Sequence, residues 1–134
     1  MLLCAKGNVL IREAIESDCK NIATLSLQIW LDTYAIDGVK TDYSEYVLST
    51  FTEEYFLNLL NETNRRILIS SDGEYIQGYV LINLESHFNG EENGFEIERL
   101  YVHKKYAGQG IGRKLLFEVQ EKHGNKFWLY TWIE

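Results

Sequence analysis

Between positions 108 and 114 the chain reads Gly108-Gln109-Gly110-Ile111-Gly112-Arg113-Lys114. Glycine at alternate positions lets a backbone turn tightly and come close to a ligand. A helical pattern starts at Ile111, so the unpaired N–H groups of a helix start point into the same space. Such a start suits an anion, a phosphate or pyrophosphate above all. Arg113 stands in the first turn, where the helix dipole disfavours a cation unless an anion is bound there. Just upstream runs Glu96-Ile97-Glu98-Arg99-Leu100-Tyr101-Val102. Glu96 and Glu98 are two residues apart and share a face of an extended strand. A pair of carboxylates there can bind a cationic amine or take its proton. The plain structural alternative is that Glu98 pairs with Arg99 or another cation.

The spacing narrows the phosphate ligand. A nucleoside-triphosphate loop needs Gly-x-x-x-x-Gly-Lys-Ser/Thr, which is absent. A dinucleotide fingerprint needs Gly-x-Gly-x-x-Gly early in a βαβ unit, and position 113 is Arg. A glycine turn that merely connects strand to helix stays open as an alternative.

The elements that must position these groups follow from periodicity. Val9-Leu10-Ile11 reads as a first strand. Ser17 reads as an N-cap, and Ile22, Leu25, Ile29 and Trp30 recur at helical spacing, which predicts a helix from Asp18 to about Tyr34. Asp37-Gly38 breaks it. A second helical region spans Thr41 to Asn61, with Thr52 as an internal N-cap and Tyr55, Phe56, Leu59 and Leu60 as its apolar face. Strands are predicted from Arg66 and over Tyr75–Leu84, joined by the hairpin signal Ser71-Asp72-Gly73-Glu74. Phe95 to Val102 is a further strand. A helix from Ile111 to about Lys122 and a strand Phe127–Trp132 complete the order β-α-α-β-β-β-α-β. Antiparallel strands followed by one strand–helix–strand unit make an α/β (α+β) fold with a mixed sheet.

Length and composition set the outer bounds. The 134 residues suffice for a single domain, 1–134, with 46% hydrophobic and 25% charged residues. The net charge of −7 argues against nucleic acid, which selects an excess of Lys and Arg. It favours a cationic small substrate, though ordinary solubility explains it as well. Cys4 and Cys19 show no zinc-ligand spacing, so no metal is expected. Met1-Leu2-Leu3-Cys4 lacks the run of about 7–15 apolar residues of a secretory signal. No stretch reaches the roughly 18 apolar residues of a membrane span. A soluble, cytoplasmic protein is therefore expected.

The segment Glu96–Leu116 resembles the acetyl-CoA-binding stretch of the GNAT superfamily of N-acetyltransferases. That family's motif is Gln/Arg-x-x-Gly-x-Gly/Ala after a strand. Here it aligns as Ala107-Gly108-Gln109-Gly110-Ile111-Gly112, with Ala107 in place of Gln or Arg. Closer still is a resemblance to PaiA-like bacterial spermidine/spermine acetyltransferases. It rests on Glu96–Tyr101, on Gly110–Leu116 and on Phe127-Trp128-Leu129-Tyr130-Thr131-Trp132.

The resemblance implies a GNAT-type acyl-CoA N-acyltransferase fold with acetyl-CoA as co-substrate. It implies a primary amine of a small cationic acceptor, such as a polyamine, as the acetyl recipient. Leu100, Tyr101 and Val102 would lie along the pantetheine arm, one amide polarising the acetyl carbonyl. Ala107 through Lys114 would hold the pyrophosphate: Ala107, Gly108, Gln109, Gly110, Ile111, Gly112, Arg113 and Lys114. Glu96 and Glu98 are the candidate catalytic carboxylates. Trp30, Tyr34 and Glu98 are the candidate acceptor contacts, with Trp30 equally readable as core beside Trp128 and Trp132. Asp32, Asp37, Asp42 and Glu45 fall where the family lines its acceptor site, or form a solvated acidic loop. The family continues past the last strand with a helix, which supplies a tyrosine acid, and two strands. The resemblance thus implies a fold incomplete after Glu134, with dimerisation covering the open edge. A non-catalytic acyl-CoA-binding module is the alternative function.

Overall fold

The computed structural model describes residues 9–87, 90 and 94–129. Five strands form one sheet in the order β1-β2-β3-β4-β5: Val9–Glu13, Arg65–Asp72, Tyr75–Asn83, Phe95–Val102 and Phe127–Leu129. The first four pair antiparallel, and β4 and β5 pair parallel, so the sheet is mixed as the element order predicts. Helices α1 (Cys19–Tyr34), α2 (Thr41–Thr50) and α3 (Glu53–Leu60) precede β2, and α4 (Ile111–His123) links β4 to β5. The expected β5 residues Tyr130–Trp132, and Cys4, lie outside the described residues.

The sheet's two faces have different cores. Ile67, Ile69, Tyr79 and Leu81 pack with Ile22, Leu25, Phe56 and Leu59 of α1 and α3. Leu68, Val80, Ile82, Phe95 and Ile97 pack with Ile111, Leu115 and Val119 of α4. Alternate strand residues thus serve opposite helical layers, as the two-residue period of a strand requires.

Two expectations change. The helical region 41–61 is two helices. The chain straightens at Phe51 and Thr52, and the Thr52 hydroxyl accepts from Tyr55 N–H at 3.1 Å. A true N-cap must open a helix, so its presence inside the run splits it. Ser17 does not cap α1. A 3-10 turn, Glu16–Asp18, leads in, and Asp18 accepts instead from the Ile15 N–H at 2.7 Å and from Arg12. Burial of Asp18 is tolerated because both its oxygens face the Arg12 guanidinium, at 2.8 and 2.9 Å. That hydrogen-bonded pairing lowers its pKa, burial opposes, and the Ile15 N–H adds to the lowering.

Candidate active site

The glycine turn begins where β4 ends. A short 3-10 turn, Lys104–Tyr106, carries the chain from Val102 to Gly108, and α4 starts at Ile111. Gly108 and Gly110 both have φ of +79°, a left-handed conformation that side chains resist. A Cβ at either would meet nothing within 4 Å, so backbone geometry, not crowding, selects glycine there. The first intrahelical bond is Lys114 N–H to Gly110 O, at 3.0 Å. The N–H groups of Ile111, Gly112 and Arg113 therefore emerge from the helix end, and Gly110 supplies no side-chain cap. Open space, exposed donors and the cations of Arg113 and Lys114 are what a pyrophosphate needs, and the residues present fit it.

β4 supplies the second half of the site. Its pairing with β3 runs through Val102, whereas its pairing with β5 covers only Phe95–Ile97. From Glu98 to Val102, one backbone edge of β4 has no partner strand among the described residues. At the same point β4 is bulged. Leu81 faces Arg99 and Ile82 faces Ile97, which leaves Glu98 as the extra residue. The bulge reverses the phase of the strand. Phe95 and Ile97 point to the α4 layer, but so does Val102, while Tyr101 joins the opposite layer.

The two glutamates separate in role. Glu98 is held by Arg65, whose Nε and Nη2 donate to its two oxygens at 2.6 and 2.9 Å. Arg65 also bonds Glu62. Hydrogen bonding to Glu98, opposed by burial, raises the Arg65 pKa. Glu98 is thus a member of a three-residue ion cluster, the structural alternative raised by the sequence, with Arg65 as the cation instead of Arg99. Glu96 is half-buried and has no ion pair among the described residues. By strand alternation with Phe95 and Ile97 it points to the α1–α3 side.

That side carries a run of aromatic rings. Trp30 meets Tyr34 at 4.9 Å, Tyr46 at 5.0 Å and Tyr43 at 5.5 Å between centroids, and Tyr46 meets Phe51 at 6.0 Å. Tyr79 lies 5.7 Å from Tyr101. Trp30 is half-buried and Tyr34 exposed, so these two acceptor candidates stand at the rim, with Trp30 packed on the core. Tyr79 is fully buried beside Ser26. Burial pushes its pKa up to about 12, against the pull of Arg99 and Ser26. Sequence reasoning missed Arg65, Tyr43, Tyr46, Tyr79 and the side chain of Arg99. A signal for the bulge existed: the aliphatic positions of β4 switch from odd (Ile97) to even (Leu100, Val102).

Other residues fall outside this arrangement. A cavity of about 300 Å³ opens beside the 3-10 turn after β4, lined by Thr24, Gln28, His103 and Tyr106 among others; it contains none of the candidate site residues. His103 accepts from Lys105 N–H at 3.0 Å. His87, without a partner in the sequence reading, has its Nδ1 2.7 Å from the Gly94 carbonyl. Trp128 donates to Ser86 O at 2.8 Å. Asp32 lies 3.8 Å from Lys104, both of them exposed. No helix among the described residues is long and apolar enough to cross a membrane.

A mixed sheet whose fourth strand runs into an uncapped, glycine-led helix is compatible with an acyl-CoA-dependent transferase. The model of the acetyltransferase (GNAT) family matches residues 27–132. The chain belongs to that family, whose co-substrate is acetyl-CoA. It is 27% identical over 132 residues to an uncharacterized N-acetyltransferase of Lactobacillus delbrueckii subsp. lactis, covering 92% of this chain and 75% of that protein. It is 31% identical over 113 residues to the thialysine N-epsilon-acetyltransferase of Bos taurus, covering 84% of this chain and 66% of that one. In structure it resembles a PaiA N-acetyltransferase from Thermoplasma acidophilum solved with coenzyme A. The TM-score is 0.72 at 19% identity, over 85% of this chain and 70% of that one.

Proposed function

We propose that this chain transfers the acetyl group of acetyl-CoA to a primary amine of a small cationic acceptor, a class that includes polyamines. The observation that carries the reading is the uncapped, glycine-led start of α4 directly downstream of β4. Leu100–Val102, which pair only with β3 among the described residues, offer backbone groups to the pantetheine arm, and one amide polarises the acetyl carbonyl. The turn from Ala107 to Lys114 holds the pyrophosphate. Acetyl-CoA supplies an activated acetyl thioester.

An ammonium has no lone pair, so the acceptor must first lose a proton. Glu96 is the better candidate to receive it, being free of ion pairs among the described residues, whereas Glu98 is engaged by Arg65. The neutral nitrogen then bonds to the acetyl carbon and the carbon–sulfur bond breaks. The nitrogen sheds a second proton and the departing sulfur gains one, giving the amide and the CoA thiol. The names of two similar proteins, thialysine N-epsilon-acetyltransferase and PaiA N-acetyltransferase, support an amine acceptor.

Isothermal titration with acetyl-CoA, with ATP as control, followed by turnover on an amine panel including spermidine, tests this reading. The expected result is selective binding of acetyl-CoA and amine-dependent release of thiol. Glu96→Gln should lose rate and keep acetyl-CoA affinity. Binding with no turnover on any amine would support the rival, a non-catalytic acyl-CoA-binding module.

A further inference from the structure

Arg99 is left without a task by the reading above. The bulge at Glu98 turns its side chain to the α1–α3 side, among the aromatic rings. Its guanidinium carbon lies 5.3 Å from the centre of the Phe51 ring, 5.5 Å from Tyr101 and 5.9 Å from Tyr55. No carboxylate pairs with it among the described residues. Its sequence neighbour Glu98 is committed to Arg65. The Nη1 atom is buried and has no hydrogen-bond partner among the described residues.

Such an arrangement is costly if nothing completes it. A guanidinium cannot shed its charge in a protein and carries five N–H donors in one plane. Ring faces attract the cation, and the Tyr79 and Tyr101 hydroxyls also interact with it, but neither gives Nη1 an acceptor. Buried donors are satisfied in the great majority of cases, and an orphan among them calls for an explanation. The fork of an arginine matches a carboxylate in two parallel bonds.

The location supplies the explanation. Arg99 stands on the strand whose backbone is assigned to the thioester. The rings that lead from it toward the surface, Phe51, Tyr46, Trp30 and Tyr34, form a continuous chain of contacts. We propose that Arg99 receives the carboxylate of the acceptor, so that the acceptor is a diamino acid acetylated on its distal amine and not a simple polyamine. This rests on the acetyl-transfer reading and narrows it. A diamino monocarboxylate keeps one net positive charge, in keeping with an acidic chain of net charge −7. The two free ends of the acceptor then meet opposite charges: the carboxylate at Arg99, the amine at Glu96.

Matched pairs isolate the carboxylate: L-lysine against 1,5-diaminopentane, and L-ornithine against 1,4-diaminobutane. Each pair shares its distal amine and differs by the carboxylate. The expected result is a kcat/KM for at least one amino acid about ten- to a hundredfold above that of its diamine, the size of a charged hydrogen bond. Arg99→Gln should abolish the preference by lowering the amino acid and leaving the diamine unchanged. Arg99→Lys keeps the charge without the fork and should restore the preference only in part. Acetyl-CoA affinity and melting temperature report whether each variant is folded; the wild-type pairs need no variant at all. Calorimetric binding of the same four compounds reads the seat without chemistry. Amino-acid binding that Arg99→Gln removes supports the seat even where no turnover occurs, and the failure then belongs to the acetyl-transfer reading. Diamines or spermidine turned over as well as the amino acids, or amino-acid binding unchanged in Arg99→Gln, would overturn the proposal and leave acetyl transfer standing.

Discussion

Removing the Glu98 carboxylate separates anchoring from proton transfer. Glu98→Gln leaves Arg65 with Glu62 alone. The Arg65 and Glu98 side chains are only 22% and 23% exposed, so water replaces the lost partner incompletely. One of the two bonds is lost and the other becomes a weaker neutral one, since the glutamine carbonyl still accepts; a charge-assisted bond has a net worth of about 1.5–3 kcal/mol when well buried. Partial exposure and the remaining Glu62 reduce the total to about 1–3 kcal/mol. For a chain of this length 1 kcal/mol moves the melting temperature by roughly 3–5 °C. The expected fall is therefore about 3–15 °C.

The assay is a double-mutant cycle by urea and thermal unfolding with Glu98→Gln, Arg65→Gln and the double variant. A coupling of about 1–2 kcal/mol is expected. Turnover of folded Glu98→Gln should stay within a few-fold of wild type, while Glu96→Gln should lose about a hundredfold or more, as for a general base. Additive stability effects would refute the anchoring argument. A stable Glu98→Gln enzyme with no turnover would make Glu98 the base and reverse the assignment.

Four further outcomes follow from the geometry. A Cβ at Gly78 would lie 2.5 Å from the Tyr101 carbonyl and 3.1 Å from Val102 Cα, so Gly78→Ala must part β3 from β4; a loss of about 1–3 kcal/mol with weakened acetyl-CoA binding is expected from melts and titration. Gly110→Ala meets no neighbour but strains a φ of +79° by about 1–2 kcal/mol, and calorimetry should show acetyl-CoA affinity falling. Tyr79 is pushed up to about 12 by burial, so the folded state holds a proton that the unfolded state loses above about pH 10. Stability should therefore fall by about 1.4 kcal/mol per pH unit between those values, a component absent from alkaline melts of Tyr79→Phe. Asp18 is lowered, first by hydrogen bonds from Arg12; its stabilisation is present above the ordinary aspartate value near pH 4 and is lost as pH falls through its folded value. Acid melts of wild type and Asp18→Asn should converge in that window.

What the sequence showed and what it hid have a common physical basis. Local signals survived into the fold. The strand Phe95–Val102 has the bounds that its pattern predicts, and α4 begins at Ile111 after the glycine turn. Thr52 caps a helix as its type requires, although that cap divides the helical region in two. Groups that depend on distant chain segments were hidden. The partner of Glu98 is 33 positions away in Arg65, and Tyr79 meets Ser26 across 53 positions. No window of local periodicity contains such pairs.

The bulge at Glu98 lies between these two cases and bears on the proposal that one strand serves two substrates. Strict alternation would place Arg99 and Tyr101 on the same face as Phe95 and Ile97, in the α4 layer. One extra residue reverses that phase, so Arg99 joins the aromatic layer while Val102 returns to α4. The bulge follows directly on Ile97, the last residue that β4 pairs to β5 among the described residues. Beyond it, Arg99 and Tyr101 face the aromatic layer. Deleting Glu98 would restore the phase and drive Arg99 toward the apolar layer of Leu115 and Val119. A buried guanidinium among aliphatic side chains is a severe penalty. Loss of folding on deletion, set against mere destabilisation in Glu98→Gln, is the expected contrast, and equal stability of the two variants would show that the phase reversal is not required.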